Sequence, residues 1–361
     1  MRIKTLELQH YRNYGELKLE LDPGINIFYG DNAQGKTNIL ESIYVCSVTK
    51  SHRGSKDRDI IAFGEEEAHI KCVVERSGME NRIDMHLKKS KAKGIALNGV
   101  PLRRSSELFG NMNVVFFSPE DLNIIKDGPA ARRKFTDMEL CQLDKIYTAD
   151  LLNYNKVLMQ KNQLLKDIYF RSDLASTLPI WNEQLVRYGS SVIRRRREFV
   201  EKLNGIIGEI HKSLTGGKEE LFMVYEPNVS EERFSQEIAL HEDRELRQKS
   251  SLVGPHRDDI NFIVNGIDIR TFGSQGQQRT AALSLKLAEI ELVKELIKDS
   301  PILLLDDVLS ELDRNRQTQL LNSIHGVQTM ITCTGLDDFV NNRFRIDKIF
   351  KVVEGSVTSE N

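Results

Sequence analysis

The sequence predicts an α/β protein: a core of mixed sheets with an inserted, mainly helical second lobe. Two patterns predict the core. Residues 25–48 run as an apolar strand, a glycine-bracketed loop and a helix, and residues 302–305 form a wholly apolar strand of the kind found in parallel sheets covered on both faces. Helical spacing of apolar residues dominates from about residue 130 to 211, which predicts the insertion. The expected boundaries are 1–125 and 246–361 for the core and 126–245 for the insertion.

The other elements follow from alternation, helical spacing and turn residues. Asn98-Gly99 and Asn265-Gly266 are each typical of a tight hairpin turn. One amphipathic helix is predicted by the stripe Trp181, Leu185, Tyr188, Val192, Phe199, Leu203 and Ile206. Further strands are expected at about 3–9, 17–21, 69–75, 83–88, 114–117, 259–264, 329–333 and 349–353, and further helices at about 36–48, 312–324 and from about 275 to 298.

Composition excludes several classes of protein. Among 361 residues, 40% are hydrophobic and 29% charged, as in ordinary globular proteins. The net charge of −2 excludes a uniformly basic nucleic-acid coat, so any DNA site must be a local patch. The four cysteines form no C-x-x-C pair, which indicates reduced thiols rather than a zinc site or a disulfide framework. With neither a signal peptide nor a run of about 20 apolar residues, we expect a cytoplasmic protein without a membrane partner.

The loop after the first apolar strand of the core matches the phosphate-binding pattern G-x-x-x-x-G-K-[ST]. Its glycines let successive backbone N–H groups surround a phosphate, and the following helix points its positive dipole end at the same group. We expect ATP as the ligand, with the lysine on the β- and γ-phosphates and the threonine hydroxyl on Mg²⁺. The nucleotide-binding residues expected here are Gly30, Asp31, Asn32, Ala33, Gln34, Gly35, Lys36 and Thr37.

Two carboxylates follow the apolar strand 302–305. Catalytic groups of parallel sheets lie just past the carboxyl ends of the strands, which is where Asp306 and Asp307 fall. Asp306 is expected to hold Mg²⁺, and Asp307 to orient or deprotonate an attacking water. Asp307 and Lys36 are the predicted catalytic residues.

A third motif, Ser-Gln-Gly-Gln at 274–277, begins a predicted helix. Taken alone, Ser274 is more simply read as a helix cap. Together with the phosphate loop and the acidic strand, however, the motif completes a set in which the chain resembles the ABC-type ATPase heads of the SMC superfamily and, within it, the RecF family of bacterial recombination proteins. The stretches that carry the resemblance are 8–14, 30–37, 117–122, 252–259, 274–279 and 304–313.

The resemblance implies a mechanism. In such heads Ser274, Gly276 and Gln277 would contact the γ-phosphate of ATP bound to a second copy of the chain, so that ATP joins two heads into a homodimer. Residues 310–313 would lie across the same interface, and Arg12 and Asn13 would help to hold the phosphates. Hydrolysis would loosen the dimer.

Three departures from the usual pattern of such ATPases stand out. Glu120 is the nearest candidate for the glutamine that couples the metal to the second lobe. Thr334 stands where many members place a histidine that senses the γ-phosphate, and Asp307 replaces a longer glutamate. Together they indicate a slow ATPase that acts as a switch.

Four basic clusters are candidates for DNA contact, although each alone is more simply a solvated charged surface. They lie at 88–93, 103–104, 132–134 and 194–197. The resemblance implies sequence-independent binding of double-stranded, gapped or junction DNA by the ATP-bound dimer, and help in loading recombinase at gapped or stalled replication sites with RecR and RecO.

Two other functions share part of the pattern. The ATPase subunit of an ABC transporter has the same loop and acidic strand, but the long helical insert and the Ser-Gln-Gly-Gln form argue against it. A P-loop kinase should need a lid and an acceptor site, and it gives no reason for residues 274–277.

Overall fold

The computed structural model describes residues 1–336 and 346–360, apart from the side chains of Glu311 and Asn315. The chain divides into two compact units. The first comprises Met1–Asp121 and Glu289–Asn361, and the second comprises Leu122–Ala288. The predicted insertion, 126–245, falls within the second unit, which continues further along the chain.

The strands are β1 (Arg2–Tyr11), β2 (Tyr14–Glu20), β3 (Ile25–Tyr29), β4 (Glu67–Arg76), β5 (Met79–Lys88), β6 (Gly94–Leu97), β7 (Val100–Pro101), β8 (Val114–Phe117), β9 (Leu221–Glu226), β10 (Asp259–Val264), β11 (Ile267–Asp268), β12 (Ile302–Asp306), β13 (Thr329–Cys333), β14 (Lys348–Val353) and β15 (Ser356–Glu360). The α-helices are α1 (Lys36–Val48), α2 (Leu122–Lys126), α3 (Pro129–Leu143), α4 (Lys145–Asp167), α5 (Leu178–Leu214), α6 (Phe234–Gln248), α7 (Ile269–Phe272), α8 (Gln275–Ile297) and α9 (Arg314–Ser323).

The first unit contains two six-stranded sheets. One is antiparallel, in the order β2-β1-β4-β5-β6-β7. The other has the order β15-β14-β3-β13-β12-β8 and is parallel except for β15, which pairs antiparallel with β14. The predicted parallel sheet is therefore confirmed. Every residue of β12 is buried, as expected for an apolar strand covered on both faces.

Helix α1 packs on both sheets of the first unit. It contacts β4 of the antiparallel sheet and β8, β12 and β13 of the parallel one. Ile39, Leu40 and Ile43 on this helix are fully buried and belong to one apolar core with residues of both sheets, such as Leu6 and Leu304. Because the phosphate loop leads directly into α1, this packing fixes the position of the loop.

The second unit combines α3–α6 with the three-stranded sheet β11-β10-β9. The predicted amphipathic stripe is confirmed on α5, where Leu185, Val192, Phe199 and Leu203 are buried. The predicted insertion also contains a strand, β9. Its backbone pairs with β10, a partner more than thirty residues away in sequence that local periodicity does not reveal.

Both predicted hairpin turns are confirmed. Asn98 and Gly99 have φ of 53° and 81°, and Asn265 and Gly266 have φ of 51° and 80°. Positive φ at both central residues is what a type I′ turn requires. The first turn joins β6 to β7 and the second joins β10 to β11.

Candidate nucleotide-binding site

The phosphate loop connects β3 to α1, and its two glycines are required by their surroundings. Gly30 and Gly35 have φ of 151° and 111°, a backbone region that side chains disfavour. A Cβ on Gly30 would lie 2.3 Å from the carbonyl oxygen of Val352, and a Cβ on Gly35 would lie 2.5 Å from Nδ2 of Asn13. A larger residue at position 30 would clash with backbone, and one at position 35 would displace the Asn13 side chain; at both positions the positive φ adds strain.

Lys36 places its ammonium group inside the loop. Its Nζ donates to the carbonyl oxygens of Gly30 at 2.5 Å and Asp31 at 2.7 Å. Burial lowers the pKa of Lys36, and the charge of Asp307 opposes that change. The ammonium is thus a positive charge fixed beside the N-terminus of α1, where an anion is stabilised by the helix dipole as well.

Neighbouring segments hold the rest of the loop. Asn13 Nδ2 and the backbone N–H of Gly355 both donate to the carbonyl oxygen of Gln34, at 3.0 and 3.2 Å. The Gln34 side chain accepts from the backbone N–H of Glu354 at 2.5 Å. Asn13 therefore positions the loop. The loop tip, Asp31, Asn32 and Ala33, is exposed.

Thr37, Asp306 and Thr332 form a cluster of oxygen atoms. Asp306 Oδ1 accepts hydrogen bonds from Thr37 Oγ1 at 2.7 Å and from Thr332 Oγ1 at 2.8 Å. Burial raises the pKa of Asp306, although both hydroxyls favour its charged form. A hydroxyl and a carboxylate are hard oxygen donors of the type that Mg²⁺ prefers, and a cation here would offset the cost of the buried charge. The residues present therefore fit a magnesium ion.

Asp307 adopts a backbone conformation that few residues tolerate. Its φ is 51°, in the left-handed region where Asp and Asn are favoured among residues with side chains. Its backbone N–H donates to Thr332 Oγ1 at 3.0 Å, and its carbonyl oxygen accepts from Ser310 Oγ at 2.8 Å. Such conformations are held by their surroundings and occur preferentially at functional sites.

The predicted site residues of the first unit follow the carboxyl ends of neighbouring parallel strands. The phosphate loop follows β3 and Thr334 follows β13. Asp306 ends β12 and Asp307 comes directly after it, while Glu120 follows β8. Glu120 and Thr334 are exposed. Ligands of open α/β sheets bind at this edge.

The guanidinium of Arg12 forms hydrogen bonds with other groups of the protein. Its Nε and Nη2 donate to the two carboxylate oxygens of Glu41 at 2.8 and 2.6 Å, and its Nη1 donates to the carbonyl oxygen of Asp59 at 2.9 Å. A phosphate contact by Arg12 stays a prediction.

In the second unit, Ser274 caps the N-terminus of α8. Its Oγ accepts from the backbone N–H of Gln277 at 3.2 Å, and the Gln277 side chain accepts from the backbone N–H of Ser274 at 3.0 Å. This is the reciprocal capping arrangement. Ser274, Gln275 and Gly276 are all exposed, so the cap presents a helix N-terminus to the surroundings.

Comparison with known proteins agrees with this geometry. The family model "RecF/RecN/SMC N terminal domain" matches residues 2–358. The DNA replication and repair protein RecF of Lachnoclostridium phytofermentans is 59% identical over 99% of both chains. The chain belongs to the RecF family.

Solved structures give the same result for the fold. A structure described as the recombination mediator protein RecF-ATP in the RecFOR pathway has a TM-score of 0.93 and 37% identity, covering 99% of this chain and 97% of that one. A Pyrococcus furiosus Smc head domain matches at 17% identity with a TM-score of 0.57, covering 99% and 96%, and it supports the fold alone. The predicted ABC-ATPase-like fold is confirmed.

The stretch 252–259, which carries the resemblance to RecF, forms part of a polar network inside the second unit. Asp258 accepts from Arg196 Nη1 at 2.9 Å, from the backbone N–H of Asn228 at 2.8 Å and from the hydroxyl of Tyr225. Arg196 is 3% exposed, so these groups satisfy one another away from water.

Other residues of this RecF stretch are held in the same way. Asp259 accepts two hydrogen bonds from the buried Arg132, at 2.7 and 3.0 Å. His256 Nδ1 lies 2.6 Å from the hydroxyl of Tyr154, and burial lowers the pKa of His256 to about 4. Gly254 has φ of 134°, and a Cβ there would lie 2.4 Å from the same hydroxyl. The stretch holds β10 against the helices of its unit.

In the predicted basic clusters of this RecF-family chain, some residues are buried in ion pairs and others are exposed. Arg132 and Arg196 are buried in ion pairs and are excluded as DNA contacts in this conformation. In the cluster 88–93, Lys93 pairs with Asp57 at 2.9 Å and is largely buried. The cluster residues that remain exposed include Arg103, Arg104, Lys134 and Arg194.

Sequence reasoning missed two partners of the site. Thr332 on β13 and Glu41 on α1 were not predicted, although both contact predicted residues directly. A polar residue within the strand 329–333 was the available signal for Thr332. Across the described residues, no helix has the length and apolar character needed to cross a membrane.

Proposed function

We propose that this chain is an ATP-dependent DNA-binding protein of recombinational DNA repair and replication-fork maintenance. The main support for the proposal is that Lys36, Thr37 and Asp306 lie together at one edge of the parallel sheet. The 37% identity to a RecF solved as RecF-ATP supports ATP as the ligand.

Each loop residue has a defined part in holding the triphosphate. Residues 30–35 supply backbone N–H groups, and Lys36 binds the β- and γ-phosphates. Thr37 and Asp306 would hold Mg²⁺, which neutralises phosphate charge when bound. Asp307 accepts a proton from, or orients, the attacking water, and its fixed backbone keeps the carboxylate at the sheet edge.

The exposed N-terminus of α8 is the proposed link between two copies of the chain. Ser274, Gly276 and Gln277 of one copy contact the γ-phosphate held by the other, so that the nucleotide becomes part of a homodimer interface. A helix dipole stabilises an anion most when water is excluded, and closure of two heads provides that exclusion. In this assignment residues 126–245 form a helical lobe inserted into the nucleotide-binding core.

The ATP-bound dimer is proposed to bind DNA through phosphate contacts, with weak, DNA-dependent ATP hydrolysis releasing it. The exposed candidates from the predicted clusters are Lys89, Lys91, Arg103, Arg104, Lys134 and Arg194. We propose RecR and RecO as partners in loading recombinase at gaps, in the cytoplasm; the solved relative is described as belonging to the RecFOR pathway.

Binding of a fluorescently labelled duplex, followed by anisotropy with and without ATP and Mg²⁺, tests this function. Wild type should bind the duplex more tightly with ATP, whereas Lys36→Ala should lose both ATP binding and the ATP-dependent gain. Lys50→Ala, an exposed lysine just past α1, is the matched control and should behave as wild type. Wild-type ATP affinity in Lys36→Ala would contradict the assignment of the loop.

The salt dependence of the same measurement tests the mode of binding. Neutralising several phosphates releases counterions, so the logarithm of the affinity should fall steeply and linearly with the logarithm of salt concentration. A flat response would contradict phosphate contacts.

A further inference from the structure

Three metal-ligand side chains lie together on one face of the antiparallel sheet in the first unit. Glu67 and His69 are two residues apart on β4, so they point to the same face. His86 on β5 is directly opposite His69 in the antiparallel ladder. One donor atom from each of the three lies within 4.8 Å of the others.

Each histidine lies near one oxygen of Glu67, at a distance comparable to the separation of ligand atoms around a bound ion. His86 Nε2 lies 3.0 Å from Glu67 Oε2, and His69 Nε2 lies 4.0 Å from Glu67 Oε1. A tetrahedral zinc ion with bonds of about 2.0–2.1 Å separates its ligand atoms by roughly 3.3 Å. The side chains are between one-third and one-half exposed, so small rotations can bring all three into this range.

An ion held by both imidazoles requires one ring to turn, because the lone pair of each ring nitrogen lies in the plane of its ring. The rings of His69 and His86 stack with centroids 3.9 Å apart and an interplanar angle of 25°.

We propose that Glu67, His69 and His86 form a binding site for one Zn²⁺ ion. Two imidazoles and a carboxylate are a ligand set that zinc accepts with a fourth position open. Both histidines line a solvent-open cavity of about 600 Å³ on the polar face of the sheet, so water or a small anionic ligand can reach that position. The ion would cross-link β4 to β5.

The ammonium group of Lys88 would compete with a bound cation for the carboxylate of Glu67. Its Nζ lies 3.3 Å from Glu67 Oε2, the oxygen that also faces His86. A bound cation must displace the ammonium from that oxygen. Removal of a ligand and removal of this lysine should therefore change zinc affinity in opposite directions.

The test measures Zn²⁺ affinity by competition with a chromophoric chelator, using EDTA-treated and dialysed full-length protein in excess Mg²⁺. His69→Ala and His86→Ala should each weaken binding by more than about a hundredfold, since loss of an outer-shell partner alone costs about 10–100-fold. Lys88→Gln should tighten it by about threefold to tenfold. His325→Ala, which removes an exposed histidine after α9, is the matched control and should bind as wild type.

Two further readouts separate ligation from an indirect effect. Circular dichroism should be unchanged in the variants, and His86→Asn provides a second, polar replacement should the alanine variant fold poorly. Co²⁺ in place of Zn²⁺ should give the visible absorption of a low-coordinate site in wild type and Lys88→Gln, and not in the two histidine variants. Zinc affinity that is undetectable in wild type, or unchanged in His69→Ala and His86→Ala, would overturn the proposal.

Discussion

Thr37 at the start of α1 and Asp306 at the end of β12 are joined by a 2.7 Å hydrogen bond across 269 residues of sequence. Thr332 donates to the same carboxylate oxygen at 2.8 Å. The two hydroxyls partly compensate the burial of a carboxylate that is only 9% exposed. The buried charge lowers stability, and it is retained where a cation is expected to bind.

Asp306→Asn should separate the cost of the buried charge from the role of that charge in binding a cation. Because burial raises the pKa of Asp306 in the folded protein, the ionised carboxylate destabilises the fold, and stability is lost as pH rises through the raised pKa. The amide is neutral and still accepts from both hydroxyls. In EDTA at neutral pH the variant should therefore melt at a higher temperature than wild type, with the difference shrinking toward pH 4.

The same variant should lose the ability of Mg²⁺ to strengthen ATP binding. Thermal melts across pH and ATP titrations with and without Mg²⁺ provide the two measurements. A lower melting temperature at neutral pH, or an intact response to Mg²⁺, would contradict the role given to Asp306.

Substitutions at Ser274 can test the proposed trans contact without removing the helix cap. Asp and Asn both cap helices as well as Ser does, and they differ from each other chiefly in charge. Ser274→Asp should retain ATP binding but prevent ATP-dependent dimerisation, because its carboxylate would face the γ-phosphate. Ser274→Asn is the matched control and should dimerise more strongly than Ser274→Asp in light scattering.

The bulkier Ser274→Arg should likewise bind ATP and stay monomeric. An ATP-dependent dimer in both Ser274→Asp and Ser274→Arg would refute the trans contact.

Arg196→Met tests the buried network of the second unit. The substitution leaves Asp137 and Asp258 without their guanidinium partner, and breaking a buried pair in this way costs about 3–5 kcal/mol of unfolding free energy. Arg194→Met, on the same helix, removes an exposed arginine and should cost less than about 1 kcal/mol. Urea denaturation measures both, and equal effects would contradict the structural role of Arg196.

The sequence predicted the residues of the phosphate loop, the acidic strand and the parallel sheet because each has a local pattern. It did not predict that Thr332 contacts Asp306, since that contact depends on the register between β12 and β13, which pairs these two residues. The pairing of Arg12 with Glu41 has the same origin, because it joins a strand end to a helix through tertiary packing.

The burial of Arg196 could have been predicted from the sequence, although a count of the charges in its cluster suggests a surface residue. Position 196 follows Val192 by four residues and precedes Phe199 by three, so it belongs to the apolar stripe of α5. The stripe places it inside, whereas the run of four arginines suggests a surface. The carboxylate partners, Asp137 and Asp258, come from distant parts of the chain, so the network itself could not be predicted.

The most direct test of the central claim is sedimentation of Asp307→Asn with saturating ATP and Mg²⁺, with and without duplex DNA. Asparagine tolerates the left-handed backbone at this position, so the variant should fold normally while hydrolysis is blocked. We predict a long-lived dimer that is absent without nucleotide and absent in the double variant with Lys36→Ala. A strictly monomeric protein under saturating ATP, whether or not duplex is present, would contradict an ATP-joined dimer.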